Sequence, residues 1–395
     1  MIDAYAIESA HASGLYTKQP LTFVRGQGAT LWDDQGQAYI DCMAGHGVAN
    51  LGHAHPRVAQ AIAEQAQRLI TLPETYCNDQ RARLVEVLCN LVPGLERVFF
   101  CNSGTEAVEA ALKFARLSSG RTQIVAAMRG FHGRTMGALS ATWNKTYRTP
   151  FEPLVPDFNH VPYNKIEALD KAVGEGAAAV ILEAVQGEGG VHVAHPEYLQ
   201  AAQEICAQRG ALLILDEVQA GWGRTGKLFA FQHFDVQPDL VCLAKSIAGG
   251  LPMGATLIGS RVQNLGPGLH GSTFGGNPLA SAAALASLQI IEEEKLPQQA
   301  AEKGAYLIER LRQIDSPRVR QVRGLGLMIG IELKQKVAPY LQAMAERKVI
   351  ALPAGLTVIR LLPPLVITYE QIDQVVAVLE QVLCSDLSND GSSDE

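Results

Sequence analysis

Lys245, Asp216 and the run Ser103-Gly104-Thr105 are residues whose types and settings could do chemistry in this chain of 395 residues. Each follows an apolar run. Lys245 stands in LVCLAKSIAGGLPMGA (240–255), where a strand-like stretch gives way to a glycine-rich loop. An ammonium there is poorly placed for solvent, and desolvation lowers a lysine's pKa toward nucleophilic use, although a lone lysine in such a setting also snorkels to the surface. Asp216, with Glu217, ends ALLILDEV (211–218); a partly desolvated carboxylate needs a cationic partner, unless it only caps a turn. Ser103, Gly104 and Thr105 open CNSGTEAVEAALKFAR (103 being the third residue of 101–116). Their N–H groups and hydroxyls suit a phosphate at the positive end of a helix, and small residues there also serve simply as a cap. Taken together, a phosphate cradle, a buried acid and a nucleophilic lysine are what pyridoxal 5'-phosphate requires: an anchored phosphate, a carboxylate for its pyridinium nitrogen and an amine to hold its aldehyde as a Schiff base.

Bringing these residues together takes a sheet. The runs RVFF (97–100), QIVAAM (123–128), AAAVILEAV (177–185), ALLILDEV, LVCLAK (240–245) and ATLIG (255–259) are continuously apolar, and helix-like stretches near 104–117, 196–208 and 276–293 lie between them. That pattern predicts an α/β fold with a mostly parallel central sheet and helices on both faces. Ligands of such sheets gather at the carboxyl ends of the strands. Residues 1–55 carry hairpin-like stretches at Leu21–Val24 and Thr30–Ile40 and form an N-terminal segment joining a small domain. A large cofactor-binding domain is expected over 56–293, beginning with a helix from Pro56 along Val58, Ala61, Ile62, Ala66 and Leu69. A small α+β domain is expected over 294–384, with helices near 296–313 and 337–347. Its last helix opens with Thr368 and Gln371 at capping-box spacing. The ending SDLSNDGSSDE (385–395) has four acids and no base, and is expected to be a disordered tail.

The composition excludes several classes. A hydrophobic fraction of 47% is ordinary for a globular chain. No apolar run reaches the roughly 18 residues of a membrane span, and the opening MIDAYAIESAHASG lacks signal-peptide features, so a cytoplasmic protein is expected. A net charge of −7 argues against nucleic acid as the main partner. The seven cysteines form no CxxC pair and leave one over, which predicts reduced thiols. GWGRTGKL (221–228) matches a phosphate-binding P-loop up to Leu228, where Ser or Thr is needed for magnesium; an NTPase is therefore a remote alternative. Gly324, Gly326 and Gly330 lie in a strand pattern with no helix after them, so close backbone packing is expected rather than dinucleotide binding. His53 and His55 alternate without an acid or cysteine at ligand spacing, and no metal site is expected.

From about residue 18 to 383 the chain resembles the class III aminotransferases of pyridoxal-phosphate fold type I, and within them the acetylornithine aminotransferases and the related aminotransferases of carrier-linked lysine biosynthesis. The motifs that carry the resemblance are NSGTEA, RGFHGRTMG, VQGEGG, LLILDEVQAGWGRTG, AKSIAGG, HGSTFGGNPLA and VIRLLPPLVI, in the family's order. The resemblance implies that Lys245 carries the cofactor and then moves the proton, and that Asp216 keeps the pyridine nitrogen protonated. It implies Val218 and Phe131 on the two ring faces, Gln219 near the ring oxygen, and Ser103, Gly104 and Thr105 on the phosphate. Thr273 would join them from the partner subunit of a homodimer, with Ser272 within reach of substrate. Arg134 and Arg360 would bind substrate carboxylates, and Glu188 would act as a gate that pairs with an arginine for one substrate and releases it for the other. Ala184 and Val108 depart from the family's usual Pro and Asn.

The activity so implied takes the ω-amino group of an N-acylated ornithine or lysine to 2-oxoglutarate, in arginine or lysine biosynthesis. Ornithine and 4-aminobutyrate aminotransferases share every catalytic residue named and stay as alternatives. Residues 110–151 hold seven bases (Lys113, Arg116, Arg121, Arg129, Arg134, Lys145 and Arg148) and no acid, a candidate docking face for an acidic carrier protein.

Overall fold

The computed structural model describes residues 2–385; beyond Ser385, the stretch expected to be a disordered tail lies outside the described residues. The six apolar runs become six strands of a seven-stranded sheet, with Phe158–Val161 added at one edge, in the order Leu95–Cys101, Gly254–Gly259, Leu240–Leu243, Leu212–Asp216, Ala177–Leu182, Gln123–Ala127, Phe158–Val161. Gly254–Gly259 runs antiparallel to both its neighbours, and the other adjacent pairs are parallel. Alternate residues of the strands feed two separate apolar clusters. Ile214 and Cys242 join Val108 and Ala111 of the helix Gly104–Ser119, whereas Leu213, Leu215 and Val241 join Leu199 and Ala202 of the helix Pro196–Arg209. Burial on both faces is why these strands read as unbroken apolar runs.

Two smaller sheets flank it. One is antiparallel, in the order Val319–Leu325, Met328–Leu333, Val358–Leu361, Leu352–Ala354. The other joins the N-terminal strands Phe23–Gln27, Thr30–Asp33 and Ala38–Asp41 to Val349–Ile350, in parallel register with Val349 beside Ile40. Arg224, fully buried, ties the parts together: its guanidinium donates to Asn50 Oδ1 at 2.6 Å, to the Leu327 carbonyl at 3.1 Å and to the Pro363 carbonyl.

GWGRTGKL forms a series of turns with no helix at Lys227, whose Nζ donates to the Gln232 carbonyl at 2.7 Å. Gly326 makes the hairpin turn after Leu325 at φ +55°, and a Cβ there would stand 2.5 Å from the Thr225 carbonyl carbon, so two backbones touch at this point. His53 Nε2 lies 2.7 Å from Asp41 Oδ2, and His55 faces Glu294. The helix from Pro56 ends at Ala66, and Leu69, placed on it by spacing, lies exposed beyond its end. The helix Asp79–Leu91 has no counterpart in the sequence reading. Its buried face, Leu84 and Leu88, includes the charged Arg81, whose Nη1 donates to the carbonyls of Leu72 and Gly276 at 3.1 Å each. A buried arginine on the inner face breaks the apolar periodicity that would reveal such a helix.

Candidate active site

The carboxyl ends of the strands surround a cavity of about 440 Å³. Three of the residues that line it arrive by the same local logic, as a strand ends and its loop turns over the sheet edge. Ser103 follows Leu95–Cys101 and caps the helix Gly104–Ser119, its Oγ accepting from the Glu106 N–H at 3.3 Å. Asp216 is the last residue of its strand, 5% exposed. Lys245, two residues past Leu240–Leu243, opens a short 3₁₀ turn at φ +48°, a left-handed conformation that a side chain adopts only under constraint. Burial lowers the Lys245 pKa below the ordinary lysine value, against the charges of Glu188 and Asp216.

The cavity suits a flat aromatic cofactor with an anionic arm. Val218 and Phe131 both line it, and Gly104 has no room for a side chain: a Cβ would sit 2.6 Å from Val218 Cγ1. The first amides of the helix Gly104–Ser119 point out of its N-terminus, where an anion is stabilised. Asp216 Oδ1 accepts from the Val218 N–H at 3.0 Å and Oδ2 lies 2.8 Å from His132 Nδ1, which fixes the carboxylate at the cavity wall.

Arg360 projects from Val358–Leu361 and is 1% exposed. Its Nη1 donates to Glu188 Oε1 at 2.6 Å and to Gln219 Oε1 at 3.0 Å. Burial would raise the Glu188 pKa, but the Arg360 guanidinium outweighs it and holds the carboxyl below its ordinary value. Arg134 is free of any carboxylate among the described residues; its guanidinium lies 3.6 Å over the Tyr147 ring and 5.6 Å from the Phe131 ring, exposed at the mouth. Thr105 lines the cavity, its Oγ1 2.7 Å from that of Thr135. Three of the expected residues do not line this chain's cavity: Arg360 lies buried behind Glu188 and Gln219, and Ser272 and Thr273 sit outside it. Ser272 is engaged with Asn102 Nδ2 at 3.2 Å and the Gly275 N–H at 3.0 Å, and Thr273 is exposed beside Phe274.

The structure adds groups that the motifs did not single out. Glu183 and His132 sit beside Asp216, both buried. His46 stands on a left-handed turn with Ala44, Gly45 and Gly47 at φ +45°, +59° and +83°, itself at +65°. Burial lowers its pKa, and the Arg360 and Lys245 charges add to this while Glu188 opposes. A histidine between two glycines was the available signal. The seven-base segment, in contrast, does not form one face. Arg121 donates to the carbonyls of Ala177 and Arg209 at 3.1 and 2.7 Å, at the amino ends of the parallel strands, because the chain crosses the whole sheet between Arg121 and Arg129.

The profile of the aminotransferase class-III family matches residues 13–383. The chain is 54% identical to a [LysW]-aminoadipate semialdehyde transaminase of Deinococcus radiodurans, over 96% of this chain and 89% of that one. It is 48% identical to an acetylornithine aminotransferase of Methanosarcina acetivorans, over 95% and 94% of the two chains. Among solved structures, an ornithine aminotransferase from Toxoplasma gondii superposes with a TM-score of 0.93 at 34% identity, covering 96% of this chain and 94% of that one. An acetylornithine aminotransferase from Elizabethkingia anophelis does so with 0.85 at 33%, covering 96% and 97%. A full-length family match and relatives well above 30% identity make this chain a class III aminotransferase, a pyridoxal-phosphate-dependent transaminase.

Proposed function

We propose that the chain transfers the ω-amino group of an N-acylated ornithine or lysine to 2-oxoglutarate, giving a semialdehyde and glutamate. The observation that carries this is the pair of arginines, Arg134 open at the mouth and Arg360 masked by Glu188 at 2.6 Å. A donor with one carboxylate and a distal amine needs one cation; 2-oxoglutarate, with two carboxylates, needs both. Each arginine offers a planar fork for a carboxylate.

When bound, pyridoxal phosphate supplies an electron sink for the carbon that loses its proton. Ser103, Gly104 and Thr105 would hold its phosphate, Val218 and Phe131 would confine the ring, and Gln219 would serve its ring oxygen. Asp216 would keep a proton on the ring nitrogen. Lys245 Nζ would hold the cofactor's aldehyde and would serve as the base that moves a proton to and from the reacting carbon. Its depressed pKa leaves the amine able to accept that proton. Glu188 swings from Arg360 when the keto acid arrives.

The names of the relatives support both donors, a carrier-linked lysine precursor and N-acetylornithine. Lys145, exposed on the short helix whose Tyr147 ring packs under Arg134, would meet an acidic carrier, whereas Arg148 is half-buried towards His160. A homodimer would cover Phe274, 60% exposed, and carry Thr273 to the partner's phosphate site. The test is a turnover panel with 2-oxoglutarate against N-acetylornithine, a carrier-linked lysine, ornithine and 4-aminobutyrate. Preference for an acylated donor is expected; preference for ornithine or 4-aminobutyrate would overturn the assignment.

A further inference from the structure

Asp216 belongs to a larger buried cluster. The imidazole of His132, whose side chain is fully buried, faces Asp216 Oδ2 with Nδ1 at 2.8 Å. Its backbone is seated by its own N–H, which donates to Thr142 Oγ1 at 2.9 Å. Glu183, one residue past Ala177–Leu182, lies behind it. Its Oε1 accepts from the Phe131 N–H at 2.9 Å and its Oε2 from the Gly187 N–H at 3.2 Å. Gly130 marks how closely these groups approach: a Cβ there would stand 2.9 Å from the Ala127 carbonyl, 3.1 Å from His132 Nε2 and 3.7 Å from Glu183 Oε1. The three titratable groups thus follow three adjacent strands, Gln123–Ala127, Ala177–Leu182 and Leu212–Asp216.

Packing alone would favour apolar side chains here. His132 Nε2 has no hydrogen-bond partner among the described residues, a standing cost that a phenyl ring would avoid. The return on that cost is the bond to Asp216. Burial opposes a charge on His132, but the Asp216 bond and the Asp216 and Glu183 charges outweigh it and hold the imidazole above its ordinary pKa. Burial pushes Glu183 up to about 7, against the pull of His132. On the far side stands His160, lowered to about 4 first by burial, with Arg148 and His132 adding to the shift. Across the cavity Lys245 senses Asp216 and Glu183.

We propose that His132, with Glu183 behind it, is a positioning residue that holds Asp216 turned into the cavity with an ionisable donor at its back, and so sets the protonation of the cofactor's ring nitrogen. This rests on Asp216 being the partner of that nitrogen. Without the imidazole, Asp216 Oδ2 loses its donor and only the Val218 N–H, on Oδ1, is left to hold the carboxylate. An Asp216 free to turn from the cavity no longer holds a proton on the ring.

The experiment reconstitutes wild type, Asp216→Asn, His132→Phe and His132→Gln with cofactor labelled with ¹⁵N in the ring. It reads the ring-nitrogen shift from neutral to mildly alkaline pH, together with the cofactor dissociation constant. Wild type is expected to stay protonated and Asp216→Asn to lose the proton. His132→Phe should follow Asp216→Asn, with cofactor binding weakened about tenfold, the size of one charge-assisted hydrogen bond. His132→Gln, a donor that cannot ionise, should restore binding but lose the ring proton at lower pH than wild type. If Asp216→Asn loses the ring proton and His132→Phe keeps it, His132 only fills space and the proposal fails. A His132→Gln profile superimposable on wild type overturns it equally, even where His132→Phe does not fold. If Asp216→Asn keeps the proton, the assignment of Asp216 itself is at fault.

Discussion

Glu188→Gln should change which substrates the enzyme accepts far more than how fast it turns over. In the resting arrangement Glu188 Oε1 receives a hydrogen bond from Arg360 Nη1 at 2.6 Å, and the arginine side chain is 1% exposed while the glutamate is 29% exposed. A charge-assisted hydrogen bond contributes about 1.5 to 3 kcal/mol net, and partial exposure of one partner puts this one near the lower bound. A dicarboxylic substrate must break that bond before it can use Arg360, so removing the charge lowers its cost by about 1.5 kcal/mol, roughly tenfold in kcat/KM. Arg360 keeps its aim in the variant because Gln219 Oε1 still accepts from Nη1 at 3.0 Å. The assay is the pair of half-reactions, each followed by the absorbance of the bound cofactor. Glutamate and 2-oxoglutarate should gain about tenfold, whereas the acylated ω-amine donor should lose ground against glutamate, because an unmasked cation now welcomes the second carboxylate. An unchanged ratio of kcat/KM for the two donors would refute the gate and leave the pair as a structural tie.

Lys245→Ala should abolish the visible absorption that bound cofactor gives the wild type; persistence of the band would mean that another amine holds the aldehyde. Because burial lowers the Lys245 pKa, cofactor capture by the apo chain should rise with pH through a midpoint below the ordinary lysine value, since only the unprotonated amine attacks; a stopped-flow midpoint at or above that value contradicts the placement. Gly104→Ala puts a Cβ 2.6 Å from Val218 Cγ1. Overpacking of about 1 to 3 kcal/mol should appear as weaker cofactor affinity in an equilibrium titration, and unchanged affinity would show that Val218 can move freely. Thr368→Ala removes the capping box that opens the helix Tyr369–Cys384, at a cost of about 1 kcal/mol, so the urea midpoint should fall while turnover at ordinary temperature stays constant.

What could be read ahead of the structure follows from the scale of each signal. Residues such as Leu213 and Ile214 are buried on opposite faces of the same strand, so the large sheet announced itself as apolar runs, and the residues at strand ends came with it. Thr368 and Gln371 were legible because a cap is a local contact, with Thr368 Oγ1 accepting from the Gln371 N–H at 3.2 Å. The helix Asp79–Leu91 was hidden by a buried arginine whose partners are backbone carbonyls that no side-chain pattern records. His132 and Glu183 escaped because their partnership with Asp216 joins positions 84 residues apart in one case, and proximity of that kind comes from strand order rather than from spacing. The basic segment misleads for the converse reason: closeness in sequence suggests closeness in space, yet one strand crossing separates Arg121 from Arg129.

The backbone around Glu188 also constrains how the proposed gate would move. Val191, β-branched and fully buried, sits at φ +56°, and Arg129 beside it at φ +66°, both in a region such residues enter only under compulsion. The compulsion is visible. Arg323 Nε donates to the carbonyls of Gly190 and Val191 at 2.9 and 3.2 Å, and Gly189 approaches the Arg129 carbonyl so closely that a Cβ would lie 2.5 Å from it. On the other side the Gly187 N–H is held by Glu183 Oε2 at 3.2 Å. A loop pinned at Gly187, Gly189, Gly190 and Val191 has no room to swing as a lid. Releasing Arg360 must therefore come from rotation of the Glu188 side chain about its own bonds, which costs a rotamer change and one hydrogen bond rather than the unpacking of a loop. In the gate proposed above, the discrimination between amine donor and keto acid would then rest on a single carboxylate carried by a pinned backbone.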